Sequence, residues 1–140
     1  MNEKNEKCVM VLEEDLPIGL AANSAAILGI SLGRLQPHIV GVDVQDKNGL
    51  VHPGIIEFPI PILQSHDEGI RKIRQRLKEP NFQDVTVIDF SDLAQSCKRY
   101  DEYIDKMADA GEDDLHYFGI VLCGPAKKIN KLTGSLPLYR

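Results

Sequence analysis

The apolar–polar pattern opens with an unbroken apolar run, Cys8-Val9-Met10-Val11-Leu12, bounded by Lys7 before it and by Glu13, Glu14 and Asp15 after it. A run of this kind between charges predicts a strand buried on both faces. The chain then turns through Asp15-Leu16-Pro17 into a stretch of small and apolar residues from Ile18, which predicts a helix ending near Leu32. Asp15 reads as the helix N-cap and Pro17 as close to its first position, while Gly29 and Gly33 are candidate stops and Pro37 forbids continuation. A strand feeding a helix this abruptly opens an α/β domain, with a crevice at the carboxyl end of the strand.

Further along, His38 to Val44 alternates enough to predict a second strand. Asn48-Gly49 between apolar runs predicts a hairpin, because both residues accept positive φ, and Leu50-Val51-His52 is its returning arm. Pro59 and Pro61 exclude a central strand, so Pro59 to Leu63 reads as an edge or a loop. Ser65-His66-Asp67-Glu68 has the form of a capping box, opening a helix with Ile70, Ile73 and Leu77 on one face and mostly basic residues on the other. Val85 to Ile88 is rich in β-branched residues and predicts a strand. Ser91 or Asp92 then caps one longer helix whose stripe is Leu93, Cys97, Tyr100, Ile104 and Met107, stopped by Gly111. Tyr117 to Cys123 predicts the last strand, and Gly124-Pro125 turns the chain into a short helix ending at Gly134.

The chain of 140 residues is long enough for one domain with its own core, read as residues 7–140 behind a disordered tail at residues 1–6. An apolar share of 43% excludes intrinsic disorder, and a net charge of −5 argues against a general polyanion binder. The three cysteines have no metal-type spacing and read as free thiols in a reducing cytoplasm. No apolar stretch approaches the roughly 20 residues of a membrane span, and Met1 to Lys7 lacks the apolar core of a signal peptide. The expectation is a cytoplasmic protein without a membrane partner.

Two stretches carry a resemblance. Lys7 to Leu16, followed by Gly19 and Ala21-Ala22-Asn23, resembles the opening of type II peptidyl-tRNA hydrolases, in which a strand runs into Asp-Leu, a Gly-Lys step and Ala-Ala-Gln on the first helix. Gly124-Pro125 through Thr133-Gly134 to Leu138 resembles that family's ending. The whole chain looks closer to an uncharacterised bacterial family, a domain of unknown function sharing this fold. The resemblance implies a three-layer α/β/α domain with a mixed, about four-stranded central sheet, and frequent dimerisation, so a homodimer is expected. It also implies what is missing. Gly19-Leu20 stand where the hydrolases carry a catalytic lysine, Asn23 replaces the family glutamine, and Ala26 replaces a histidine. Asp109-Ala110-Gly111 resembles the start of a loop that carries an aspartate and a threonine in the hydrolases, yet no threonine follows before Gly124. The reading is a protein of hydrolase-like fold without canonical peptidyl-tRNA hydrolysis. The alternatives are a small-molecule-binding or regulatory module, and a residual ester hydrolase.

Four residues are candidate ligand contacts: Asp15, Gly19, Asn23 and His52. Asp15 is equally a plain N-cap. Gly19 and Asn23 share a helix face four residues apart, with room at the glycine and an amide that donates and accepts. The competing reading of Asn23 is a structural hydrogen bond. His52, near Asp46, is either a base near neutrality or a solvated turn residue. The basic residues from Arg71 to Lys78, and Lys127, Lys128 and Lys131, are candidate contacts for a tRNA backbone, against the simpler reading of solvated faces. Gly29-x-x-x-Gly33 lacks the Lys and Ser/Thr of a nucleotide loop, and nothing in the spacing calls for a metal or a cofactor.

Overall fold

A computed structural model describes residues 5–140. Part of the expected tail, residues 1–4, lies outside the described residues, and Glu6 already belongs to the first strand. That strand, β1 (Glu6–Glu13), is the apolar run with its charged flanks. It pairs antiparallel with β6 (Tyr117–Pro125) on one side and parallel with β4 (Ile62–Ser65) on the other. The sheet order is β4-β1-β6-β5, with β5 (Thr86–Ser91) antiparallel to β6.

Burial on both faces explains the unbroken apolar runs. Val9, Val11, Ile120 and Leu122 pack towards α2 (Asp67–Arg76) and α5 (Ala126–Thr133). Cys8, Met10, Leu12, Val121 and Cys123 pack towards α1 (Ile18–Leu35). The result is an α/β domain with a mixed four-stranded sheet and helices on both faces.

Several elements differ from the sequence reading. Helix α1 passes through Gly29 and Gly33 to Leu35, because burial of Ala21, Leu28 and Leu32 outweighs a cost of about 1 kcal/mol per interior glycine. By length and composition α1 is apolar enough to cross a membrane, which the sequence reading denied to any segment; here it packs one face on the sheet. Its N-cap is Pro17, with no side-chain cap, rather than Asp15.

His38 to Val44 is not a continuous strand. Pro37–Ile39 is a 3₁₀ turn that plugs Ile39 into the core, Val40 forms a single bridge with Ile56, and only Val44–Gln45 (β2) forms a strand. It pairs with β3 (Val51–His52) as a separate two-stranded ribbon. The turn forms at the expected place, but only Gly49 is left-handed (φ +85°). Asp46 O accepts from Gly49 N–H, and Leu50 O accepts from Asp46 N–H, both at 3.0 Å, so Asn48 keeps negative φ.

Strand β4 starts just after the prolines, at the sheet edge, and the chain end covers its free side. Pro137 O accepts from Gln64 N–H at 3.0 Å, and Ile62 O accepts from Tyr139 N–H at 2.8 Å. Helix α2 is capped by His66, whose Nδ1 accepts from Gly69 N–H at 3.1 Å, one residue beyond the expected Ser65. Ser65 instead ends β4.

The single long helix after β5 is two: α3 (Asp92–Ser96) and α4 (Tyr100–Ala108). Ser91 does cap the first, accepting from Ala94 N–H. The break at 97–99 is held by the Glu102 carboxylate, which accepts from Lys98 N–H at 3.0 Å. The expected stripe is therefore interrupted, and Tyr100 (74% exposed) and Ile104 lie in solvent. Gly124-Pro125 is the end of β6 rather than a turn, since α5 starts at the next residue.

Candidate functional site

The crevice expected at the end of β1 exists, but another helix face lines it. A cavity of about 310 Å³ is bounded by Leu12, Ile18, Ala21, Ala22 and Ala25, with Tyr139 from the chain end. It is largely apolar, and Gly19 and Asn23 do not line it. Gly19 is exposed, and a Cβ there would meet nothing within 4 Å. Asn23 is also exposed, and its Nδ2 donates to Gln95 Oε1 at 3.0 Å. Asp15 is exposed, with its N–H donated to the Glu13 carboxylate. His52 sits on the ribbon, 3.0 Å from Asp46 Oδ2, and this bond holds the Asp46 carboxyl below its usual range. The structure thus does not bring the four predicted residues to one cavity.

Several members of the basic clusters are engaged within the fold. Arg71 donates to the carbonyls of Glu112 and Leu115, Arg74 Nε to Asp89 Oδ2 at 3.1 Å, and Lys78 Nζ to Glu112 Oε1 at 3.0 Å. Lys128 pairs with Asp84 at 2.8 Å and holds its carboxyl below the usual range.

A larger cavity, about 420 Å³, lies beside the edge strand β5, between α1 and the break separating α3 from α4. Ile27 and Ser31 come from α1, Ile88, Asp89 and Phe90 from β5, and Ala94 from α3. Residues 97–100 and Tyr103 close it. The site exists because α3 stops short: the chain between Cys97 and Tyr100 crosses the mouth instead of packing against the sheet. Its walls are more apolar than polar, with polar groups converging from three elements, as small-molecule sites generally have. Asp89 pairs with Arg74 (3.1 Å) and Arg99 with Asp101 (3.1 Å). The Lys98 ammonium forms no ion pair among the described residues. Burial, then the Asp89 carboxylate and the neighbouring Tyr100 and Cys97, push the Tyr103 hydroxyl up, so it stays protonated and able to donate. The Tyr100 and Tyr103 rings stand edge to face with centroids 5.4 Å apart.

Sequence reasoning missed this cavity. Its signals were Asp89 interrupting a β-branched run, and a Lys98-Arg99 pair inside an expected helix. A third cluster lies at the carboxyl end of β1, where His116 stands 3.4 Å from Asp67 and 3.9 Å from Glu13. Among the described residues no group of His, Cys, Asp and Glu is arranged to hold a metal ion.

No curated protein matches the chain. A solved structure of a protein of unknown function from Agrobacterium tumefaciens str. C58 has the same fold, with a TM-score of 0.86 at 22% identity over 97% of this chain and 98% of that one. Residues 6–140 match the family described as "Protein of unknown function (DUF2000)", so nearly the whole chain, both cavities included, belongs to the DUF2000 family.

Proposed function

We propose that this domain is a small-molecule-binding module on a type II peptidyl-tRNA hydrolase-like fold, without peptidyl-tRNA hydrolysis. The observation that carries the reading is the cavity beside β5. Its volume of about 420 Å³ lies within the range of small-ligand sites, and it combines apolar walls with three polar side chains, Ser31, Lys98 and Tyr103, that have no partner among the described residues. The loss of hydrolysis follows from α1, whose eighteen residues include neither lysine nor histidine. Removing a positioned charged group costs on the order of 10²–10³ in rate. The internal pairing of Arg71, Arg74, Lys78 and Lys128 reduces the basic charge that either cluster offers to a tRNA backbone.

The resemblance at both chain ends, together with a mixed sheet flanked by helices, supports the hydrolase-like fold. Three free thiols fit a reducing cytoplasm. A homodimer is supported by the apolar side chains left in solvent, Ile18 and Ile30 on α1 and Val44 and Val51 on the ribbon among them. Native mass spectrometry of freshly purified protein tests the module: a retained small-molecule mass supports it. Turnover of a model peptidyl-tRNA at the rate of an authentic hydrolase, run side by side, would overturn it. Sedimentation at micromolar concentration reads the dimer directly.

A further inference from the structure

We propose that the cavity beside β5 takes a small aromatic carboxylate, an inference that rests on the binding reading above and specifies its ligand class. The apolar wall is built from Ile27, Ile88, Phe90 and Ala94, on three different elements. With Tyr100 and Tyr103 opposite, three aromatic rings border the space, which suits a flat ring more than a flexible polar body.

The charge comes from counting partners. Asp89 lies in the wall, but its carboxylate is bound to the Arg74 guanidinium. Arg99 is bound to Asp101 in solvent. Glu102, the next acid on α4, pairs with Lys106 at 3.4 Å and accepts from Lys98 N–H. What remains uncompensated is the Lys98 ammonium at the exposed rim. A chain of net charge −5 therefore offers one unpaired cation at the mouth of this cavity among the described residues. The neutral donors Ser31 Oγ and the Tyr103 hydroxyl line the same space, and neither makes a side-chain hydrogen bond among the described residues. A carboxylate accepts from all three; an ammonium can donate to the two hydroxyl oxygens, but the Lys98 charge repels it and Asp89 is already bound to Arg74.

The test uses the full chain and three near-isosteric probes: 3-phenylpropanoate, 3-phenylpropanamide and 3-phenylpropylamine, titrated by calorimetry at low salt. The carboxylate is expected to bind about tenfold tighter than the amide, with the amine weakest. Lys98→Met, at an exposed position that tolerates substitution, should erase the preference for the carboxylate while leaving the amide unchanged. Ile27→Trp should fill the cavity and abolish binding of all probes.

Each outcome decides something. Equal binding of carboxylate and amide, both lost in Ile27→Trp, overturns the anion class and keeps the binding module. A preference for the amine points to Asp89 and overturns it as well. Binding that survives Ile27→Trp places the ligand elsewhere and overturns the assignment to this cavity. No heat from any probe at millimolar concentration overturns both the ligand class and the module.

Discussion

Asn23 on α1 donates its side-chain amide to Gln95 on α3 at 3.0 Å, and both side chains face solvent. The contact joins the long helix to the short one that closes the larger cavity, without reaching either cavity. Asn23 is therefore a surface tie that lines neither cavity. Exposed hydrogen bonds of this kind contribute little, because water replaces the lost partner. Asn23→Ala should change unfolding free energy by less than about 1 kcal/mol in urea titrations. A loss of 2 kcal/mol or more would show that α3 depends on this bond.

Gly119 on β6 lies opposite Leu12 on β1. A Cβ there would sit 2.6 Å from Leu12 Cδ2, 3.1 Å from Val11 O and 3.2 Å from Leu28 Cδ1. Leu12 and Leu28 are both buried, so neither side chain has free space to retreat into. Gly119→Ala should destabilise the fold by about 1–3 kcal/mol, as overpacking in tight cores does. Gly19→Ala is the matched control: nothing stands within 4 Å, and alanine replaces glycine in the first turn of α1, so stability should rise by up to about 1 kcal/mol. Thermal melts of the two variants moving in the same direction would contradict this packing argument.

What the sequence disclosed was set by how local each cause is. β1, β6 and α1 were legible because burial on two faces writes an unbroken apolar run, and burial on one face writes a helical stripe. The turn at Asn48-Gly49 was legible because left-handed backbone demands glycine. The break between α3 and α4 was hidden: Cys97-Lys98-Arg99 contains no glycine or proline, and the restart depends on Glu102 capping the Lys98 amide. The crevice at the end of β1 was foreseen, but not its lining. Gly19 and Asn23 share one helix face, while the cavity meets the face of Ile18, Ala21, Ala22 and Ala25. Which face meets a cavity depends on how the helix is rolled on the sheet, and that is a tertiary fact. The larger cavity joins Ser31, Asp89 and Lys98, a juxtaposition no local pattern records.

Glu112 gives a pH signature. Its carboxylate accepts from Lys78 Nζ at 3.0 Å and from the Tyr117 hydroxyl at 2.9 Å, and these bonds hold it below its ordinary value of 4.5. A carboxyl depressed in the folded state contributes stability that is present above 4.5 and lost as pH falls through the lower folded value. The pair is largely solvent-screened, so the contribution is under about 1 kcal/mol. Glu112→Gln should be less stable than the parent at pH 7, with the gap closing by pH 3. Urea titrations at both pH values measure it, and a gap that stays constant on acidification would reject the ionic origin.

The three thiols should separate by reactivity. Cys8 and Cys123 face each other across β1 and β6, both buried in the layer under α1. The hydrogen bond with Cys8, then burial and the neighbouring Cys8 and Glu6 charges, push the Cys123 thiol far up, so it holds its proton at any ordinary pH. The thiolate is the reactive form, and reagent must also reach the sulfur, so both conditions fail for Cys123, and burial alone shields Cys8 in the native state. Cys97 is half-exposed in the wall of the larger cavity, with Lys98 and Arg99 beside it. Treatment of native protein with a chromogenic disulfide reagent at pH 8 should label one thiol quickly. The other two should follow only at the rate of global unfolding, and urea should make all three fast. Cys97→Ser should remove the fast phase and leave the slow one intact. Occupancy of the cavity by 3-phenylpropanoate should slow the Cys97 phase alone. Rapid labelling of all three thiols in the native protein would show that the β1–β6 interior is open, and no fast phase at all would mean that Cys97 is sealed from the cavity.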